Sequence, residues 1–145
     1  MFKNIYKDKK VIITGNTGFK GSWLTSWLLK LRSNVYGISK DIPTKHSMFN
    51  ALDFKNKITH YDNDVRELDS IVRIINEVKP DFIFHLAAQA LVSVSYSDPI
   101  ETMTTNIIGT TNILESLKLS NHDCVGIFIT SDKCYSNKEV HYGYK

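Results

Sequence analysis

Three glycines, Gly15, Gly18 and Gly21, stand three residues apart in the run Thr14-Gly15-Asn16-Thr17-Gly18-Phe19-Lys20-Gly21. The β-branched run Val11-Ile12-Ile13 precedes it, and Trp23, Leu24, Trp27, Leu28 and Leu31 follow at helical spacing. A TGxxGxxG loop between a strand and a helix is equipped to hold a phosphate chain. Gly15 suits a tight strand-to-helix turn, Gly18 removes a side chain where backbone N–H groups must approach a pyrophosphate, and Gly21 lets the helix pack close to the sheet. The first helical turn adds unpaired N–H donors and the positive end of the helix dipole. The expected ligand is the pyrophosphate of NAD or NADP, cradled by Gly15, Asn16, Thr17, Gly18, Phe19, Lys20 and Gly21. The competing reading, a structural turn with three glycines, leaves the strand–loop–helix context unexplained.

Two polar clusters lie where ligand contacts belong. Ser39-Lys40-Asp41 falls about 20 residues after the loop, at the expected ribose position. Asp41 could accept from a ribose 2′-hydroxyl, as NAD requires, and Lys40 could pair a 2′-phosphate, as NADP requires; the choice stays open. Thr130-Ser131-Asp132-Lys133 follows an apolar run, at the carboxyl end of a parallel strand where α/β ligands bind. Solvated charges at a capped strand end are the alternative. His85, at the end of a buried strand, reads as a hydrogen-bonded core histidine. Cys124 and Cys134 form no CxxC and have no histidine pair at metal spacing, so no metal is expected.

The elements that position these groups alternate. Strands are expected at Val11–Thr14, Asn34–Ile38, Lys57–Tyr61, Asp81–Leu86 and Val125–Thr130. Helices are expected from Gly21 to about Arg32, over Leu68, Ile71, Val72, Ile75 and Val78 up to Pro80, and from Asp98 onward. In the last, Asp98 caps, Pro99 takes the first helical position and Glu101 stands where a capping-box acid belongs. Ile100, Met103, Ile107, Leu114 and Leu117 would line its apolar face. Residues 39–56 read as a loop with a helical turn around Met48 to Leu52. This alternation implies an α/β fold with a parallel sheet wound by right-handed crossovers; with the glycine-rich loop it reads as a Rossmann doubly wound parallel sheet, whose order is 3-2-1-4-5.

Composition agrees with a globular domain. The 145 residues are 42% hydrophobic and 23% charged, with a formal net charge of +3. That charge is mild and its lysines are scattered, which argues against a nucleic-acid partner. No run approaches the ~20 apolar residues of a membrane span, and Val11-Ile12-Ile13 is too short for a signal-peptide core. Two non-motif cysteines read as reduced thiols of a cytoplasmic protein.

The GxxGxxG spacing together with His85-Leu86-Ala87-Ala88-Gln89 resembles the extended short-chain dehydrogenase/reductase superfamily. By that resemblance Leu86, Ala87, Ala88 and Gln89 form a cofactor wall. In Asp62-Asn63-Asp64-Val65-Arg66, Asp64 would accept from the adenine amino group and Val65 would donate its N–H. Asn106 matches a structural asparagine.

Three longer segments are similar to CDP-glucose 4,6-dehydratases of bacterial surface-polysaccharide synthesis: residues 15–24, residues 89–99 (Gln-Ala-Leu-Val-Ser-Val-Ser-Tyr-Ser-Asp-Pro) and residues 130–135 (Thr-Ser-Asp-Lys-Cys-Tyr). Sister dTDP-glucose dehydratases carry Asp-Glu where this chain has Asp132-Lys133. The resemblance implies an NAD-dependent sugar-nucleotide lyase, a homodimer, that converts CDP-glucose to a 4-keto-6-deoxy product. Hydride leaves sugar C4, a base removes the C5 proton, an acid assists loss of the C6 hydroxyl, and hydride returns to C6. By position Ser131 would bind the C4 oxygen, Asp132 would be the acid, and Lys133 would stand at the base position, a task that needs a depressed lysine pKa.

Departures from the family pattern set further expectations. The superfamily's Tyr-x-x-x-Lys pair after the fifth strand is not present in 1–145, because Tyr142 has no lysine four residues on and Tyr144 and Lys145 are adjacent. The chain reads as an NAD(P)-binding Rossmann domain, 1–145, incomplete at its C-terminal end and lacking the sugar-binding half, so no turnover is expected from it alone. A non-catalytic NAD-binding remnant, or a related epimerase or dTDP- or GDP-sugar dehydratase, are the alternatives. Arg32-Ser33 replaces the usual helix-ending glycine, which would weaken a left-handed cap. Asn63 replaces a glycine at little cost if φ is positive there. The fifth strand would be an edge, with Val125, Ile127, Phe128 and Ile129 poorly covered and prone to self-association.

Overall fold

The computed structural model describes residues 2–131, 136, 138–139 and 141–143. Its strands are β1 (Lys10–Thr14), β2 (Asn34–Ser39), β3 (Thr59–Asp62), β4 (Phe82–His85) and β5 (Val125–Phe128). All pair in parallel, in the order β3-β2-β1-β4-β5. The expected Rossmann topology is therefore the observed one. Helices α1 (Phe19–Lys30), α2 (Met48–Ala51), α3 (Leu68–Val78), α4 (Val92–Ser97), α5 (Pro99–Met103) and α6 (Gly109–Leu119) connect the strands.

Alternation along β1 divides the core. Val11 and Ile13 pack with Leu28 and Val35 on one face, and Ile12 packs with Ile71, Ile75, Ile83 and Ile113 on the other. The strand is fully buried on both sides, which is why it reads as a continuous β-branched run. Helix α3 buries Ile71, Ile74, Ile75 and Val78 and ends before Pro80, with Lys79 in the left-handed region at φ 50°. Proline disfavours helical backbone in the residue before it, so the stop is local.

Two helix faces differ from the sequence expectation. Trp23 and Trp27 are 58% and 47% exposed, while Gly21, Ser22, Thr25 and Leu28 face inward. The reason is proximity: a Cβ on Gly21 would overlap the Gly15 carbonyl and Asn16 Cα. The helix must therefore present its small residues to the loop, and its large aromatics turn outward. It also begins at Phe19, two residues earlier than expected.

The second case runs from Pro99 to Leu119, where one π-helical turn (Thr104–Ile108) joins α5 to α6. Ile100, Met103, Ile107 and Leu114 are exposed, and only Leu117 of the expected row packs on the core. Thr105, Gly109, Asn112, Ile113 and Ser116 are inward instead. A Cβ on Gly109 would strike Val65 Cγ2, and Asn112 Nδ2 donates to the carbonyls of Val65 and Arg66. Close backbone approach and carbonyl satisfaction thus outrank hydrophobicity on this face.

The caps also depart in detail. Asp98 accepts from the Glu101 N–H at 3.0 Å, but the Glu101 carboxylate turns away to Lys40 and Arg66, so only half of the capping box forms. Arg32 itself adopts the left-handed cap at φ 64°, and the Ser33 N–H closes it on the Leu28 carbonyl. The cap is made without glycine, at a conformational cost. Asn63 is not among the positive-φ residues; its side chain donates to the Asp64 carbonyl. Strand β5 is the outer strand among the described residues, with Val125 and Ile129 54% and 49% exposed and Ile127 and Phe128 partly covered.

Candidate functional site

The carboxyl ends of β1, β2 and β4 open onto one cleft. Gly15, Thr17 and Gly18 line it from the loop, Ser39, Lys40 and Asp41 from the end of β2, Asn63, Asp64 and Val65 after β3, and Leu86, Ala87 and Ala88 after β4. Ten of the residues singled out in the sequence as cofactor contacts thus share one surface.

The loop is shaped by backbone geometry. Gly15 has φ +71°, and a Cβ there would stand 2.9 Å from Ala87 N and Cα. A side chain is excluded both by conformation and by the wall of the cleft. Gly18 is different. An added Cβ would meet only the Gly15 oxygen, at 3.4 Å, so the missing side chain leaves open space above the loop. Gly18 is also the N-cap of α1 and supplies no capping side chain, so the first-turn N–H groups keep their donors available. A cradle without side chains, facing uncapped donors, fits a pyrophosphate.

Other loop residues act inside the protein. Asn16 is fully buried; its Oδ1 accepts from the Ser39 hydroxyl at 2.8 Å, and its Nδ2 lies 3.3 Å from His60 Nδ1. Ser39 Oγ also accepts from the Thr17 N–H, which leaves that hydroxyl engaged. The Thr17 hydroxyl donates to the Asp41 carbonyl at 2.7 Å and ties the loop to the segment after β2. Phe19 and Lys20 are exposed and outside the lining, and Gly21 is a packing contact. Sequence inspection missed Gly37: a side chain there would collide with the Asn16 amide.

The Ala87-Ala88 wall hangs on a hydrogen-bonded chain. Thr14 Oγ1 accepts from the N–H groups of Leu86 and Ala87, both at 3.1 Å. Its own proton is then directed to His85 Nδ1, 2.7 Å away. His85 Nε2 accordingly carries the ring proton and donates to Thr110 Oγ1 at 3.0 Å, and Thr110 donates to the Asn106 carbonyl at 2.7 Å. Burial pushes the His85 pKa down to about 4; as expected from sequence, it is a hydrogen-bonded core residue. Asn106, in the π-helical turn, accepts from the Gln89 N–H at 2.8 Å and donates to the Gln89 carbonyl at 3.0 Å. Gln89 and Asn106 thus fix the wall from behind. The π turn also brings buried Thr105 to the cleft.

A charge network unforeseen in the sequence borders the cleft beside Lys40 and Asp64. Arg66 Nη2 pairs with Asp64 Oδ2 at 2.6 Å and Arg66 Nη1 with Glu101 Oε2 at 2.5 Å, and Lys40 Nζ pairs with Glu101 Oε1 at 2.5 Å. Burial would raise the Asp64 carboxyl, but hydrogen bonds from the Arg66 side chain and backbone hold it below the usual range. The Lys40 hydrogen bond has the largest effect on the Glu101 carboxyl and lowers it; burial opposes this, and Arg66 adds to the lowering.

Ser131 is exposed beyond the carboxyl end of β5, at the same end of the sheet as the cleft. Asp132 and Lys133 lie outside the described residues. Among the described residues no cluster of His, Cys, Asp or Glu could hold a metal ion, and no helix is long and apolar enough to cross a membrane.

Comparison with known proteins agrees with this geometry. The family model "GDP-mannose 4,6 dehydratase" matches residues 12–142. The chain is 42% identical over 143 residues to the CDP-glucose 4,6-dehydratase of Salmonella typhimurium, covering 99% of this chain and 40% of that protein. It is 36% identical over 122 residues to a GDP-mannose 4,6-dehydratase of Vibrio cholerae, covering 77% of this chain and 32% of that protein. Among solved structures, the UDP-glucose 4-epimerase of Thermus thermophilus in complex with NAD superposes with a TM-score of 0.67 at 28% identity, over 76% of this chain and 34% of that one. The UDP-glucose 4-epimerase of Thermotoga maritima, with UDP-glucose, gives 0.72 at 27% identity, over 82% and 37%. The chain therefore spans about a third to two fifths of the length of the relatives it matches. Its parallel sheet in the order 3-2-1-4-5, its glycine-lined cleft and its match along nearly the whole chain place it in the GDP-mannose 4,6-dehydratase family of sugar-nucleotide enzymes.

Proposed function

We propose that this chain is the NAD-binding part of a sugar-nucleotide 4,6-dehydratase acting on CDP-glucose. The observation that carries the reading is the similarity to a CDP-glucose 4,6-dehydratase over 99% of the chain, which runs through the cleft from Gly15 to Ala88 and beyond. When bound, NAD supplies a reversible hydride acceptor.

The residues of this chain bind and orient. Gly15, Gly18 and the first turn of α1 hold the pyrophosphate, and Asn16, Thr17 and Gly21 keep that loop in shape. Asp41 accepts from the ribose 2′-hydroxyl. Asp64 meets the adenine amino group, sharing its carboxylate with Arg66, and the Val65 N–H donates to the ring. Leu86, Ala87 and Ala88 form a wall without bulk, held by Gln89 and Asn106.

In the residues after β5, by resemblance to the dehydratases, Ser131 donates to the C4 oxygen, Asp132 protonates the departing C6 hydroxyl and Lys133 takes the C5 proton. The exposed row Ile100, Met103, Ile107 and Leu114 is a surface for a second copy in a homodimer. The setting is the cytoplasm, where thiols such as Cys124 stay reduced, and the product is a deoxysugar precursor for lipopolysaccharide.

The test has two arms. Calorimetry of the 145-residue chain with NAD should show saturable binding; none at millimolar NAD would overturn the cofactor assignment. Incubation with CDP-glucose and NAD should yield no 4-keto-6-deoxy sugar, because no Tyr-x-x-x-Lys follows β5 within these 145 residues. Measurable conversion would overturn that division of labour.

A further inference from the structure

We propose that Glu101 is a specificity-determining residue that selects NAD over NADP by occupying the two cations a 2′-phosphate would need. The inference rests on the dinucleotide reading above.

The two cofactors differ at the adenosine ribose, where one carries a neutral hydroxyl and the other a phosphate with close to two negative charges at neutral pH. A phosphate is recognised by free cationic donors, and a hydroxyl by a carboxylate or carbonyl acceptor. Lys40 lines the cleft directly after β2. In sequence it is the obvious partner for a phosphate, but the fold assigns it elsewhere. Its Nζ lies 2.5 Å from Glu101 Oε1, 61 residues along the chain.

The neighbouring cation is engaged in the same way. Arg66 pairs with Glu101 Oε2 through Nη1 and with Asp64 through Nε and Nη2. One carboxylate thus bridges two cations. Lys40, Asp41 and Asp64 line the cleft, and Arg66 and Glu101 join Lys40 and Asp64 to one another, so two cations face three carboxylates and the group is net negative. A phosphate placed there must displace an ion pair and approach like charge. A 2′-hydroxyl needs neither, because Asp41 can accept its proton.

Glu101 is held in place independently of this pairing. Its backbone N–H is capped by Asp98 at 3.0 Å, and Thr105 Oγ1 lies 3.4 Å from its Oε1. The isosteric Glu101→Gln therefore removes charge while keeping the helix start.

The experiment measures NAD and NADP dissociation constants by calorimetry on the 145-residue chain and on Glu101→Gln, with circular dichroism to verify folding. The unchanged chain should bind NAD at least about tenfold tighter than NADP. Glu101→Gln should narrow that ratio by about tenfold through a gain in NADP affinity, since one like charge beside the phosphate is removed and Lys40 is released. Adding Lys40→Ala to Glu101→Gln should abolish the gain. A parent chain that binds NADP as well as NAD, or a ratio unmoved by Glu101→Gln, overturns the proposal while leaving the dinucleotide reading intact. Failure to bind either cofactor overturns both.

Discussion

His85 makes the stability of this domain dependent on pH in a window that carboxylates barely reach. It is 3% exposed, and both ring nitrogens are committed. The Thr14 hydroxyl, already accepting two N–H groups, points its proton at Nδ1. A second ring proton would have no acceptor on that side and would meet the Thr14 proton head on. Burial in the same direction lowers the pKa from 6.5 to about 4. The unfolded chain takes up the proton as pH falls through 6.5 and the folded chain does not, so folding is fully favoured above that value and loses stability toward pH 4. A shift of this size corresponds to about 3 kcal/mol in total, of which about 2 kcal/mol is lost by about pH 5. Urea unfolding near pH 7.5 and near pH 5 measures the drop, and the same pair of measurements on His85→Gln isolates the His85 share. His60, also lowered chiefly by burial, contributes in the same direction to both proteins and cancels in the difference. An equal drop in the two proteins would refute the hydrogen-bond argument.

Other substitutions follow from the geometry. Arg32→Gly should raise stability by roughly 0.5–1 kcal/mol in chemical denaturation, since φ 64° at Arg32 suits glycine better than a residue with a Cβ; a loss would mean that the arginine side chain matters more than its backbone. Gly21→Ala should lower stability by roughly 1–3 kcal/mol and weaken NAD binding in titration, because the new Cβ would push α1 off the Gly15-Asn16 turn. Asn106→Ala should cost about 1–3 kcal/mol by freeing both backbone groups of Gln89, with faster amide exchange at Gln89 as the local signature. The chain should self-associate in light scattering through the exposed edge of β5, and Val125→Lys should reduce that, as a charge on an edge strand opposes pairing. A monodisperse monomer at high concentration would contradict the edge argument.

Local chemistry was legible in the residues themselves. The Thr14–Gly21 loop, the strand and helix alternation, the stop at Pro80 and the Asp98 cap depend on interactions within a few residues. The five strands were accordingly readable from the amino-acid pattern, with boundaries displaced by one or two positions, and their order followed from the Rossmann reading of the glycine-rich loop. The buried faces of α1 and of the α5–α6 segment were not. Their hydrophobic spacing pointed to Trp23, Trp27, Ile100 and Ile107, whereas the packed faces carry Gly21, Ser22, Thr25, Gly109 and Asn112. Hydrophobicity says which side chains favour burial, but backbone approach distance decides which ones fit. That distance is set by partners remote in sequence or in the adjoining turn: Val65 for α6 and Gly15 for α1.

The same division holds in the cleft. The residue types and spacing of Gly15, Gly18, Asp64 and Ala87-Ala88 marked a dinucleotide site because phosphate and adenine contacts come from short, contiguous motifs. Whether Lys40 is free to meet a phosphate was undecidable from Ser39-Lys40-Asp41, since both readings used adjacent residues. Only the tertiary fold brings Glu101 across 61 positions to Lys40 and joins it to Arg66. An ion pair between distant segments leaves no local pattern, and so the sequence pointed to a dinucleotide site while the packed structure decided which charges remain available in it.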